Sequence, residues 1–152
     1  GKRTYRWFGD YNDYWHLWNS ATTGFEPSVR DYRVVKTVYD PSPVGYTVPA
    51  SGAFASFDAA NTAKGPSETS GFRNFRFYCS ASQHDDDRTI LFRAVGYRSD
   101  TGQGEGMGEQ TRFWTAVPAT HSSAPVFYLS DEAEMQVSNL DRALPVRPVR
   151  EK

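Results

Sequence analysis

Aromatic side chains dominate this chain, and branched aliphatic ones are scarce. Phe, Tyr and Trp total 23 of the 152 residues, against five Leu and one Ile. A helix bundle needs Leu repeated at helical spacing, and five cannot supply it. A parallel α/β sheet needs continuous Val, Ile and Leu strands, which are also missing. Gly and Pro total 21, so chain reversals must be frequent. The expectation is one compact, loop-rich domain with a β-heavy aromatic core. This length supports one core without disulfide staples. The aromatic content argues against disorder, because it gives the chain surface worth burying.

Charge narrows the partners. Lys and Arg number 17 and Asp and Glu 18, a net charge of −1. The one single-sign run is Asp85-Asp86-Asp87, and the one basic cluster, Arg142, Arg147, Arg150 and Lys152, is thin. A nucleic-acid binder would show an electrostatic stripe, so nucleic acid is not expected as a partner. No apolar run approaches membrane-spanning length, so this domain is not expected to insert in a membrane. Gly1 in place of a starting Met suggests a processed fragment of a larger protein. The single Cys79 excludes an internal disulfide. The absence of an Asn-x-Ser/Thr sequon fits a bacterial source.

Periodicity places the elements. Tyr11, Tyr14, Trp15 and Trp18 follow helical spacing, with Asp10 as N-cap. Residues 34–39 read as a strand, and Asp40-Pro41-Ser42-Pro43 as a turn. Gly45 to Pro49 is extended. Ser51 is placed to cap a helix over 52–63, with Phe54, Phe57 and Ala60 as its apolar stripe. Residues 64–70 read as loop. Residues 72–79 alternate, which puts Phe75, Phe77 and Cys79 on one buried face. His84 to Arg88 reads as a charged hairpin-like loop and 89–95 as a strong strand. Residues 99–112, with glycines at 102, 104, 106 and 108, read as surface loop. Strands follow at 113–117, 124–130 and 134–137, a turn at 139–143, and an extended run at 145–150.

Catalytic patterns are poorly matched. Cys79 lies on the expected core face and reads as inert. His84 with three consecutive Asp lacks the alternating ligands and glycine of a calcium loop. His16, His84 and His121 are not at zinc-ligand spacing. The glycine run matches neither a P-loop nor a dinucleotide loop, and Glu105 and Glu109 would repel phosphate. Glu132 and Glu134 are a possible acid–base pair of a type common on surfaces. No metal or other cofactor is expected. What remains is recognition: residues 109–141 mix Phe113, Tyr128 and Met135 with short polar groups, the composition of a binding surface.

Three stretches carry a family resemblance. The first is Lys36-Thr37-Val38-Tyr39-Asp40-Pro41-Ser42-Pro43-Val44-Gly45-Tyr46-Thr47-Val48-Pro49, followed by Ser51-Gly52-Ala53-Phe54. The second is Phe92-Arg93-Ala94-Val95-Gly96-Tyr97-Arg98. The third is Phe113-Trp114-Thr115-Ala116-Val117-Pro118, with Phe127-Tyr128-Leu129, Arg142-Ala143 and Val146-Arg147-Pro148-Val149-Arg150 beyond it. Together they resemble the C-terminal domain of Bacteroidales surface and fimbrial-tip proteins, and are similar to the Fibrobacter major paralogous domain. Relatives often carry Cys at the positions of Ser42 and Pro148, a pair absent here. Some members are similar to the variable proteins of diversity-generating retroelements, in which a fixed scaffold carries a mutable C-terminal face. The resemblance implies a C-type-lectin-like, α+β fold: short twisted antiparallel sheets, about two helices and long loops. The Glu-Pro-Asn or Gln-Pro-Asp and Trp-Asn-Asp motifs of calcium-dependent sugar binding are absent.

The expected function is non-catalytic ligand recognition by one domain spanning 1–152, the C-terminal module of an adhesin or pilus-tip protein at a bacterial surface. The expected partner is a protein or glycan, or other pilus subunits. The candidate contacts are Phe113, Thr115, His121, Ser122, Tyr128, Glu132, Gln136, Asn139 and Asp141, with Phe113 and Tyr128 as anchors and Trp114 pointing inward. The alternatives are a structural fimbrial subunit, and a hydrolase or transferase using Glu132/Glu134 or His121.

Overall fold

A computed structural model describes residues 18–22, 33–79 and 88–151. Its strands are β1 (Tyr46–Thr47), β2 (Thr62–Thr69), β3 (Phe72–Tyr78), β4 (Thr89–Arg93) and β5 (Tyr97–Arg98). They continue with β6 (Gly104–Glu105), β7 (Thr111–Trp114), β8 (Ser123–Leu129), β9 (Ala133–Asn139) and β10 (Val149–Arg150). All pairings between these strands are antiparallel: β2-β3-β4 and β7-β8-β9 form three-stranded sheets, and β1-β10 and β5-β6 form ribbons. Ser70 and Gly71, both at positive φ, make the tight two-residue link from β2 to β3.

Rings take the place that Leu would fill elsewhere. Register puts Phe75 beside Phe92 and Phe77 beside Ile90 on one sheet. On the other, Phe113, Phe127 and Met135 form one row across three strands. These two faces, with Phe54, Phe57 and Leu129, make one core. Phe127 stacks on Phe54 at 4.6 Å, and Phe92 meets Phe113 and Phe127 edge-on at 5.4 and 5.6 Å. Burial of each ring contributes roughly 1.5–3 kcal/mol, and good ring geometry adds about 1 kcal/mol per pair. The opposite face of β7-β8-β9 is covered in part by a second cluster. Trp114, Ala124, Val126 and Leu144 pack there with Trp18, Tyr97, Leu140 and Val146. The central strand is therefore covered on both faces, and every residue of β8 except Tyr128 is buried.

Several expectations are corrected. The fold is not α+β with about two helices: among the described residues there is no α-helix, and small antiparallel sheets take its place. The helix expected over 52–63 is two 3-10 turns, Ser51–Phe54 and Ala59–Asn61. The bonds around the first turn span three residues (Ala53 N to Ala50 O, Ala55 N to Gly52 O, Phe57 N to Phe54 O), and Asp58 is fully extended between the two. Asp58 then caps the second turn by accepting from Asn61 N–H, and Thr62 opens β2, so most of the expected 64–70 loop is strand. The helix expected from Tyr11 to Trp18 falls on 11–17, outside the described residues; Trp18 itself lies in a turn. Within 34–39 only Lys36 pairs, through one bridge to Asn19. Cys79 is exposed, because β3 ends at the Tyr78–Thr89 pair and its alternation stops there. The glycine segment includes β6, and Gly108 ties it to β3 and to the residue that follows β4: its N–H donates to Ala94 O and its carbonyl accepts from Arg73 N–H. Gly108 has φ +83, and a Cβ there would lie 2.6 Å from Gly71 O.

The Lys36–Pro49 stretch has a physical role of its own. Lys36 Nζ donates to the carbonyls of Ser42, Pro43 and Tyr46 at 2.6, 2.9 and 2.7 Å. The buried Asp40 carboxylate accepts from Ser42 N–H, Val48 N–H and the Thr47 hydroxyl at 2.7, 2.9 and 2.9 Å. Burial alone would raise its pKa. The Val48, Ser42 and Thr47 bonds outweigh burial and hold it below the usual carboxylate value. One cation and one anion thus clamp a turn that two prolines keep out of helix.

Candidate recognition face

The outward face of β7-β8-β9 is built by strand register. Arg112, Tyr128 and Glu134 form one row across the three strands, and Trp114, Val126 and Gln136 form the next. The C-terminal segment, through Leu144 and Val146, packs on the Trp114 and Val126 part of this face. Tyr128 and Gln136 stay half-buried and Glu134 exposed. Tyr97 of β5 completes the face. The Arg112 guanidinium carbon sits 4.5 Å from the Tyr97 ring centre and 4.8 Å from that of Tyr128, and Arg142 lies 5.7 Å from Tyr97. Such cation–ring contacts contribute about 0.5–2 kcal/mol each, depending on desolvation.

Two hydrogen bonds fix the acids on this face. Tyr97 Oη donates to Glu105 at 2.6 Å, and Gln136 Nε2 donates to Glu134 at 2.6 Å. Burial, then the bond to Glu105, raises the Tyr97 pKa. The Tyr97 hydroxyl in turn lowers that of Glu105.

The expected contacts do not form one site. Phe113 is buried in the ring cluster and Thr115 is buried with its hydroxyl donating to Pro125 O at 2.8 Å, so neither presents a contact to solvent. Phe113 and Tyr128 lie on opposite faces of the sheet, which excludes them as paired anchors. Trp114 is buried, but on the outward face beneath the second cluster and not in the ring core that holds Phe113. His121 and Ser122 are exposed in the turn before β8, and Ser122 O accepts from Leu140 N–H. Asn139 pairs with Ser123 at that same end, and the half-buried Asp141 follows in the next turn. Glu132 is exposed in the β8–β9 turn at the other end. Ser123 and Tyr128 are five residues apart, about 16 Å along a strand. His121 and the Glu132/Glu134 pair are therefore at opposite ends of the sheet.

Tyr97, Glu105, Arg112 and Arg142 were not among the expected contacts. One signal was available: aligning 111–114 antiparallel to 126–129 places Arg112 opposite Tyr128. Tyr97 and Arg142 arrive from distant segments, and no short-range pattern marks them. Among the described residues no cluster of three or more His, Cys, Asp or Glu is arranged to hold a metal ion. No family model, curated protein or solved structure matches the chain.

Proposed function

We propose that the chain is a non-catalytic recognition domain of a bacterial surface protein, an adhesin or pilus-tip module, and that it binds its ligand on the outward face of β7-β8-β9. The observation that carries this reading is the Tyr97–Arg112–Tyr128 stack on a sheet whose inner face is locked in the core. A rigid base with Tyr and Arg at its surface is the composition of binding hot spots. Gln136 and Glu134 beside the stack supply directional hydrogen bonds that a wrong partner leaves unmade. The surface setting rests on the resemblance of the three quoted stretches to Bacteroidales surface and fimbrial-tip proteins. Their residues carry structure here: Lys36 and Asp40 clamp a turn, Gly96 sits at φ +69, and Trp114 fills the second cluster. Because contact residues alternate with core residues along each strand, this face also suits a scaffold whose exposed positions are diversified.

The test is capture from arrays of purified extracellular proteins and glycans. The reading requires a ligand that Tyr128→Ala weakens at least tenfold and that Tyr46→Ala, an exposed substitution on β1, leaves unchanged. A ligand indifferent to Tyr128→Ala overturns the face. The assembly reading has one observation in its favour: β9 lies at the edge of its sheet and Val137 on it is 52% exposed. Strand exchange between copies would appear as concentration-dependent polymers in size-exclusion chromatography, whereas a monodisperse monomer argues for recognition.

A further inference from the structure

Resting on that reading, we infer that Arg112, supported by Arg142, binds a carboxylate presented by an acidic side chain of a protein ligand. Arg112 is half-buried, its Nε is buried, and no hydrogen-bond acceptor meets that atom. No carboxylate among the described residues lies within 4 Å of the Arg112 or Arg142 guanidinium. The neighbouring acids hydrogen-bond to other groups, Glu105 to the Tyr97 hydroxyl and Glu134 to the Gln136 amide, and Glu105 feels the two arginine charges only across space. Arg73, also half-buried and 5.9 Å from the Phe75 ring centre, differs in having a carboxylate, reaching Asp131 at 2.8 Å. With Nε shut off from solvent, the fork that a ligand can reach is the pair of terminal nitrogens. The group that matches that fork is a carboxylate, which accepts two parallel hydrogen bonds.

The surroundings select among anions. Glu105 and Glu134 flank the stack, and their charge disfavours a phosphate or sulfate dianion more than a single carboxylate. An acidic polysaccharide repeats its carboxylate and would bring further ones against the same two acids. A lone Asp or Glu within a mixed protein surface meets the arginine without that repulsion. The row Arg112–Tyr128–Glu134 runs across strands about 4.8 Å apart, which suits a broad protein contact.

The test uses the whole chain labelled with 15N, with arginine Nε–Hε resonances followed during titration. The probes are a soluble peptide with one central Glu, the same peptide with Gln there, and polygalacturonate. Saturable movement of the Arg112 resonance by the Glu peptide is expected, with binding of the Gln peptide at least tenfold weaker. Arg112→Lys, which keeps the charge and loses the fork, should weaken the Glu peptide at least tenfold, and Arg73→Lys should not. Arg142→Gln provides a second variant should Arg112→Lys not fold, and should weaken the same peptide at least threefold. Equal binding of the two peptides, no saturation by either, or tighter binding of polygalacturonate overturns the inference. If array capture still depends on Tyr128 after such a result, the recognition face stands and only the carboxylate assignment falls. If capture is indifferent to Tyr128, the face itself is wrong.

Discussion

The clamp at Asp40 makes a quantitative prediction. Asp40→Asn keeps the shape of the side chain but not its acceptors. If the amide oxygen faces Thr47 and Val48, the amide nitrogen faces the Ser42 N–H, donor against donor. A hydrogen bond to a charged acceptor contributes about 1.5–3 kcal/mol. Losing one and neutralising two should cost about 3 kcal/mol at neutral pH, a large part of a typical domain stability of about 5–15 kcal/mol. Asp40→Ala, which leaves all three donors without the carboxylate, should cost about 4 kcal/mol. The folded pKa of Asp40 lies below its unfolded value, so its contribution is present above the ordinary carboxylate pKa. It is lost as pH falls through the depressed folded value. Urea melts followed by tryptophan fluorescence at neutral pH and at about pH 2.5 measure this directly. The gap between the parent chain and Asp40→Asn should be smaller at the acid pH, because the carboxylate's contribution fades as pH falls from the ordinary carboxylate value toward the depressed folded value. An equal gap at both pH values, or an Asn variant as stable as the parent at neutral pH, would refute the clamp.

Other outcomes follow from the same structure. Phe127→Ala removes a ring that contacts those of Phe54, Phe57, Phe77 and Phe92, and should cost about 3–5 kcal/mol in urea denaturation. Gly96→Ala forces a side chain onto a backbone at φ +69 with a Cβ 2.5 Å from Glu105 O; it should lower the melting temperature sharply, while Gly45→Ala, at φ +80 but with open space around it, should cost less. Removing the Glu105 carboxylate, as in Glu105→Ala, should move the Tyr97 ionisation to lower pH, read by the 13Cζ shift of labelled tyrosine. If the outward face is diversified, the DNA near the gene should hold a near-repeat of the codons for about residues 99–150, differing at adenines and beside a reverse transcriptase.

β8 and β9 were legible because turn residues bound them sharply, whereas β7 begins at Thr111, inside the expected 99–112 loop, and ends at Trp114 rather than 117. The region 51–63 was not legible. Phe54, Phe57 and Ala60 satisfy a helical stripe, yet the same spacing serves two short 3-10 turns, and Asp58 between them is extended. Spacing records which residues face inward and not how many backbone bonds connect them. Cys79 was misplaced by carrying a true alternation one residue beyond its strand. Phe113 and Trp114 were read in reversed directions: Phe113 faces the ring core, and Trp114 lies on the other face beneath the second cluster. The Arg112 stack depends on contacts between β5, β7 and β8, and so emerges only with the tertiary pairing.

The parity of β8 separates what can change from what cannot. Phe127 and Tyr128 are adjacent in sequence and opposite in direction, one stacked in the ring core and the other against Arg112. A single residue inserted into β8 would exchange their directions, placing a polar hydroxyl in the core and an exposed ring outside. Replacing Tyr128 alone leaves the core undisturbed. New binding specificity can therefore be acquired by substitution within the strands, while gains and losses of length are excluded from them.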